Sequence, residues 1–135
     1  MKMEKIEMVK IERQYKNNGQ HAEQTFKFTM TGEIFKADNK PAEECGDYLD
    51  IQIKSAKATI CKGDNLNAYL EMDAAKRYAY VTKDFSTAYI MDKKTWKRFC
   101  EEFGYLCHES EKNGGKIKMR LLDESKRMKE WLENN

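Results

Sequence analysis

The chain has 135 residues, 40% of them hydrophobic and 36% charged, with 25 basic residues against 23 acidic ones and a net charge of +2. That length predicts one domain, residues 1–135, able to bury a core without staples, and the composition excludes a chain disordered throughout. The near balance of charge excludes nucleic-acid affinity driven by overall charge, so such affinity has to come from local clusters.

Cys45, Cys61, Cys100 and Cys107 form no C-x-x-C pair and sit mostly in core-like segments. They are expected as packed thiols rather than disulfides or zinc ligands. Two histidines, His21 and His108, supply a histidine metal site poorly. No apolar run approaches the ~20 residues of a membrane span, and Met1-Lys2-Met3-Glu4-Lys5 leads into no signal-peptide apolar region. The expectation is a cytoplasmic protein with no membrane partner.

Residues 3–13 fit neither the helical nor the strand period and read as a lead-in. Asn17-Asn18-Gly19 breaks the chain and supplies caps for a helix from about Gln20 to Thr31, which Gly32 stops. Ala22, Phe26 and Met30 form its expected buried stripe, with Glu23 at the edge, where a carboxylate can look into a cleft. Residues 33–46 are irregular, with turn signals at Asp38, Asn39, Pro41 and Gly46. A strand follows from Gly46 to Ala56. Thr59-Ile60-Cys61 extends it or forms a short partner, and Asp64 caps a helix carrying Leu66, Tyr69 and Leu70.

Tyr78–Thr82 and Thr87–Met91 read as a hairpin turning at residues 83–86. Asp92 caps the next helix, where Trp96, Phe99, Cys100 and Phe103 follow helical spacing, and Gly104 ends it. Leu106 to Ser110 and Lys116 to Leu121 read as two strands joined by an Asn113-Gly114-Gly115 turn, with Ile117, Met119 and Leu121 inward. A last helix is expected from about Asp123 to Glu133, with Met128, Trp131 and Leu132 apolar. The fold class that results is α/β or α+β, a mixed β-sheet flanked by helices.

The chemistry concentrates on the 46–56 strand. Alternation sends Leu49, Ile51, Ile53 and Ser55 to one face and Asp50, Gln52, Lys54 and Ala56 to the other. An acid, an amide oxygen and an amine stand in a row about 7 Å apart, two residues at a time. Oxygen ligands beside a cation are what metal-dependent phosphodiester cleavage requires. Asp47 or Asp50, Gln52 and Lys54 supply that set, with Glu23 as a further ligand and Lys57 and Lys62 as phosphate contacts. The same alternation also describes the solvated face of an edge strand.

Gly19 to Glu23 on a helix, then Asp47, then Gln52-Ile53-Lys54 on a strand resembles the PD-(D/E)xK nuclease superfamily, over about residues 19–62. The resemblance implies a restriction-endonuclease-like sheet flanked by helices and Mg²⁺-dependent DNA cleavage. Glu23 would be the helix acid, Asp47 the first strand ligand, and Gln52 with Lys54 the Q-x-K variant in which an amide replaces the usual acid. Asp50 shares a face with Gln52 and is an alternative metal ligand to Asp47.

Lys112, Lys116, Lys118 and Arg120 cluster on the glycine turn and the strand after it, a pattern that can follow a phosphate backbone or simply face solvent. Tyr78 and Tyr80 share a strand face and suit either base stacking or half-buried packing. Two function classes stand: a DNA-binding, Mg²⁺-dependent nuclease, and a non-enzymatic protein of phage or mobile-element type. The second would be an inactive nuclease-like fold or an inhibitor that occupies a groove of a protein partner or of a nucleic acid.

Overall fold

The computed structural model describes residues 3–13, 16–34, 48–62, 75–108 and 117–135, with the backbone alone for 59–62, 107–108 and 117–118. It has an α+β fold. Four strands, β1 (Glu4–Glu7), β2 (Ile51–Ser55), β4 (Arg77–Val81) and β5 (Thr87–Asp92), form a mixed sheet in the order β1-β5-β4-β2. β2 runs parallel to β4, and the other two pairings are antiparallel. A second, antiparallel sheet has the order β3-β7-β6, from β3 (Thr59–Lys62), β6 (Gly104–His108) and β7 (Ile117–Leu121). The helices are α1 (Asn18–Thr31), α2 (Lys93–Phe103) and α3 (Lys126–Asn134).

The mixed sheet is buried on both faces. Period-two alternation sends Ile51, Ile53, Ala79, Val81, Ala88 and Ile90 to one face, where Ala22 and Phe26 of α1 cover them. Tyr78, Tyr80, Tyr89 and Met91 take the other face, against Trp96, Phe99 and Phe103 of α2 and Met128 and Leu132 of α3. Met119 and Leu121 of β7 enter this second cluster and join the two sheets. Tyr78 stacks flat on Trp96, ring centroids 4.9 Å apart, an arrangement that adds about 1 kcal/mol to the burial itself. Tyr78 and Tyr80 are therefore core residues, not a surface for stacking bases.

The α1 termini follow from their capping residues. The Asn17 side chain accepts from the Gly19 and Gln20 N–H groups, and Gly32 closes the helix in the left-handed region at φ 76°. Its buried stripe differs from expectation. His21, Ala22, Thr25 and Phe26 are buried, whereas Met30 is 42% exposed, because the sheet lies under the 21/22/25/26 side of the helix. The lead-in residues supply β1 by pairing with β5.

Two boundaries also shift. The strand expected from Gly46 begins at Ile51. Tyr48 and Ile51 exchange backbone hydrogen bonds of 3.0 and 2.8 Å around a tight turn, Leu49 sits at φ 52°, and its side chain is exposed rather than inward. The last helix begins at Lys126, not Asp123, because the Ser125 hydroxyl caps the Met128 N–H at 3.2 Å. The strand expected from Leu106 starts at Gly104, directly after α2, and pairs with β7 as a hairpin would; the turn between them lies outside the described residues, as does the helix expected after Asp64. Among the described residues, no helix is long and apolar enough to cross a membrane.

Candidate functional site

β2 closes one end of the mixed sheet, and among the described residues no strand pairs on its outer side. Ile51, Ile53 and Ser55 are buried against α1, which leaves Gln52 and Lys54 half-buried. The start of α1 lies close by, so one helix and one strand, far apart in sequence, meet around a cavity of about 560 Å³. Glu23, Gln52, Lys54 and Lys57 line it, together with Lys16 and the Asn17 cap.

Each candidate from the sequence has a definite place. Glu23 is half-buried on α1, with Lys27 one turn later at 4.0 Å. Gln52 and Lys54 stand in register with Tyr78 and Tyr80 of β4. Lys57, in the turn after β2, has φ 62°, and the Ala58 N–H to Ser55 carbonyl bond of 3.1 Å closes that turn. Asp47, Lys112 and Lys116 lie outside the described residues, and the side chains of Lys62 and Lys118 are likewise outside them. Arg120 is exposed on β7 and does not line the cavity.

Asp50 is not among the lining residues either. It precedes β2 in the turn and holds Arg77 through both carboxylate oxygens, at 3.0 Å to Nε and 2.9 Å to Nη2. These bonds keep the Asp50 carboxyl below the usual carboxylate range. Glu23 is thus the one carboxylate that the described residues bring to the cavity, with the Gln52 amide oxygen as a second donor type. Among the described residues, no group of three or more His, Cys, Asp or Glu side chains is placed to hold a metal ion.

Magnesium commonly takes one or two carboxylates and fills its remaining positions with water and substrate phosphate oxygens. A single carboxylate and an amide oxygen fit an ion recruited together with a phosphate, not one held tightly by the protein alone.

Sequence reasoning missed three acidic or basic groups near this edge of the molecule. The Glu124 side chain is only 4% exposed. Its Oε2 accepts from the Tyr80 hydroxyl at 2.7 Å and from the Lys83 N–H at 3.0 Å. Burial, reinforced by this carboxylate, pushes the Tyr80 hydroxyl well above the ordinary tyrosine range. Asp123 stands next to Glu124, with the Lys57 and Lys83 ammonium groups beside it at 3.6 and 3.2 Å. The expected helix start hid both acids. Tyr80, Lys83 and Lys57, which meet these acids, lie 40 or more residues away in the chain, beyond the reach of any local pattern.

No protein-family model matches the chain, and no curated protein or solved structure does.

Proposed function

We propose that this chain is a DNA-binding domain of PD-(D/E)xK, restriction-endonuclease-like type that hydrolyses a phosphodiester bond with Mg²⁺. The observation that carries the reading is the convergence of Glu23, Gln52 and Lys54 on one cavity across 31 residues of sequence. Those are three of the four residues, with Asp47, to which the sequence resemblance gives a role.

In this reading Glu23 and Gln52, which line the cavity, would hold the ion through a carboxylate and an amide oxygen, with Asp47 as the further acid. When bound, Mg²⁺ would supply Lewis-acid polarisation of the phosphate. Lys54, one of the same lining residues, would orient the phosphate and stabilise the negative charge that builds on its equatorial oxygens. Water adds to phosphorus and gives up a proton, the bond to the leaving sugar oxygen breaks, and that oxygen takes up a proton. Lys16, before α1, and Lys57, after β2, add positive charge to the lining. Such a domain works in the cytoplasm, beside its DNA.

A second reading is DNA or protein binding without cleavage. Gln52 favours it, because a neutral amide is a weaker Mg²⁺ ligand than the acid it replaces.

The test is a cleavage assay on supercoiled, linear and branched DNA with Mg²⁺ or Mn²⁺, beside Lys54→Ala and Glu23→Ala. Metal-dependent cleavage that falls at least 100-fold in both variants, on the order expected for removing a charge-stabilising group, supports the nuclease. A folded wild type that binds DNA in EDTA and cleaves none of the substrates replaces it with the binding reading.

A further inference from the structure

Three segments meet at Asp123. Lys57 comes from the turn after β2, Lys83 from the β4–β5 hairpin, and Asp123 from the link between β7 and α3. The Lys83 Nζ lies 3.2 Å from the Asp123 carboxylate and the Lys57 Nζ 3.6 Å from it, so both ammonium groups share one bidentate anion. The Asp123 Oδ1 also accepts the Glu124 N–H at 2.9 Å, which fixes the carboxylate's position.

Two features set this cluster apart from an ordinary surface ion pair. Lys57 lines the cavity, so the cluster stands at the cavity's rim. Lys57 also holds a left-handed φ of 62°, where glycine is unstrained and a lysine is not. Leu49 and Phe85 adopt the same region, and of these three residues only Lys57 lines the cavity. The lysine side chains are 66% and 62% exposed, so the contact with Asp123 contributes little to folding and is easily exchanged.

We propose that Lys57 and Lys83 form a seat for a DNA backbone phosphate, that Asp123 occupies this seat in the unbound protein, and that DNA enters the cavity over the two lysines by displacing it. The proposal rests on the DNA-binding reading above and adds its entry point and its internal competitor. A phosphodiester presents two anionic oxygens to the same pair of cations, as the carboxylate does. DNA gains from the exchange because each phosphate neutralised by a lysine releases condensed counterions, whereas Asp123 releases none. The lysines hold the Asp123 carboxyl below its ordinary range, so the competitor is charged at neutral pH.

The experiment is fluorescence anisotropy in EDTA with a labelled DNA duplex of about 20 base pairs, titrated at several salt concentrations. The proteins are wild type, Asp123→Asn, Lys57→Gly, the double variant and Lys54→Ala. Asn keeps the oxygen that accepts the Glu124 N–H, and glycine relieves the φ of residue 57, so each substitution preserves the local backbone. Asp123→Asn is expected to tighten binding roughly fivefold at low salt, the effect of one unit charge a few ångströms away in water. It should also steepen the salt dependence. Lys57→Gly is expected to weaken binding roughly threefold to tenfold and to shrink the gain from Asp123→Asn.

Asp123→Asn at or below wild-type affinity, with Lys54→Ala still weakening binding, overturns the seat and leaves the DNA-binding reading standing. If neither the wild type nor Asp123→Asn binds the duplex, the DNA-binding reading falls and takes the seat with it.

Discussion

Asp50 and Arg77 show how one residue's role is decided by a partner that sequence spacing does not reveal. The guanidinium meets both carboxylate oxygens, and the two side chains are each about one-third exposed. Solvent screening limits such a pair to about 1 kcal/mol. Asp50→Asn is therefore expected to lower the urea midpoint by an amount equivalent to about 1 kcal/mol at neutral pH. Its DNA affinity and any metal-dependent cleavage should stay at wild-type level, since the residue does not line the cavity. The pH dependence has a fixed sign. Arg77 depresses the folded-state pKa of Asp50, so the pair's contribution is complete above the unfolded value of about 3.9 and disappears as pH falls through the lower folded value. Urea titrations of both proteins from neutral pH downwards should converge in that acid range. A gap that stayed constant to low pH would show that the carboxylate charge is not what Arg77 stabilises.

Element by element, legibility tracks how local the deciding interactions are. The hairpin of β4 and β5, the Asp92-capped α2 and the Gly32 stop of α1 are all readable, because caps, turn residues and period fix them within a few positions. Alternation also separates Ile51 and Ile53 from Gln52 and Lys54 correctly. It fails one step earlier, since Leu49-Asp50 continues the alternating pattern while Leu49 turns left-handed and Asp50 leaves for Arg77. The cavity is legible in part: Glu23, Gln52 and Lys54 are, whereas the convergence of Lys57, Lys83 and Asp123 depends on tertiary placement alone.

Gly104, where α2 gives way to β6, was readable as a stop but not for its physical reason. Its φ of −101° suits any residue, so the left-handed cap is not used. Instead, a Cβ there would lie 2.5 Å from the Cys100 carbonyl oxygen and 2.9 Å from the Met119 Sδ. The thioether can swing aside, but the backbone carbonyl cannot. Gly104→Ala is expected to cost about 2 kcal/mol, in the range of core overpacking, measured as a shift in urea midpoint. Unchanged stability would mean that α2 and β6 separate without strain.

At the scale of the whole molecule, the order of strands is the part least accessible to the sequence. The parallel pairing of β2 with β4 spans a crossover of more than 20 residues, and β3 within that crossover joins the other sheet. A mixed sheet with helices is predictable from the succession of elements, but its division into two sheets is not. What unites them is a common aromatic and aliphatic cluster, to which β4, β5, β7, α2 and α3 all contribute. Leu121 is fully buried in it, and Met119, two residues earlier on the same face of β7, is buried beside it. If the chain folds as the one domain that its length suggests, a breach of this cluster uncovers apolar residues of both sheets at once, while the other face of the mixed sheet stays packed on α1. Leu121→Ala removes side-chain volume at the junction and is expected to destabilise the protein by about 3 kcal/mol. The loss should appear as one lowered transition. Far-UV circular dichroism, which reports both sheets and the helices, should coincide through that transition with the fluorescence of Trp96 and Trp131, which report the packed face of α2 and α3. Two separated transitions in the variant, with the tryptophan signal retained after part of the backbone signal is lost, would show that the three-stranded sheet unfolds independently and that the cluster does not couple it to the rest.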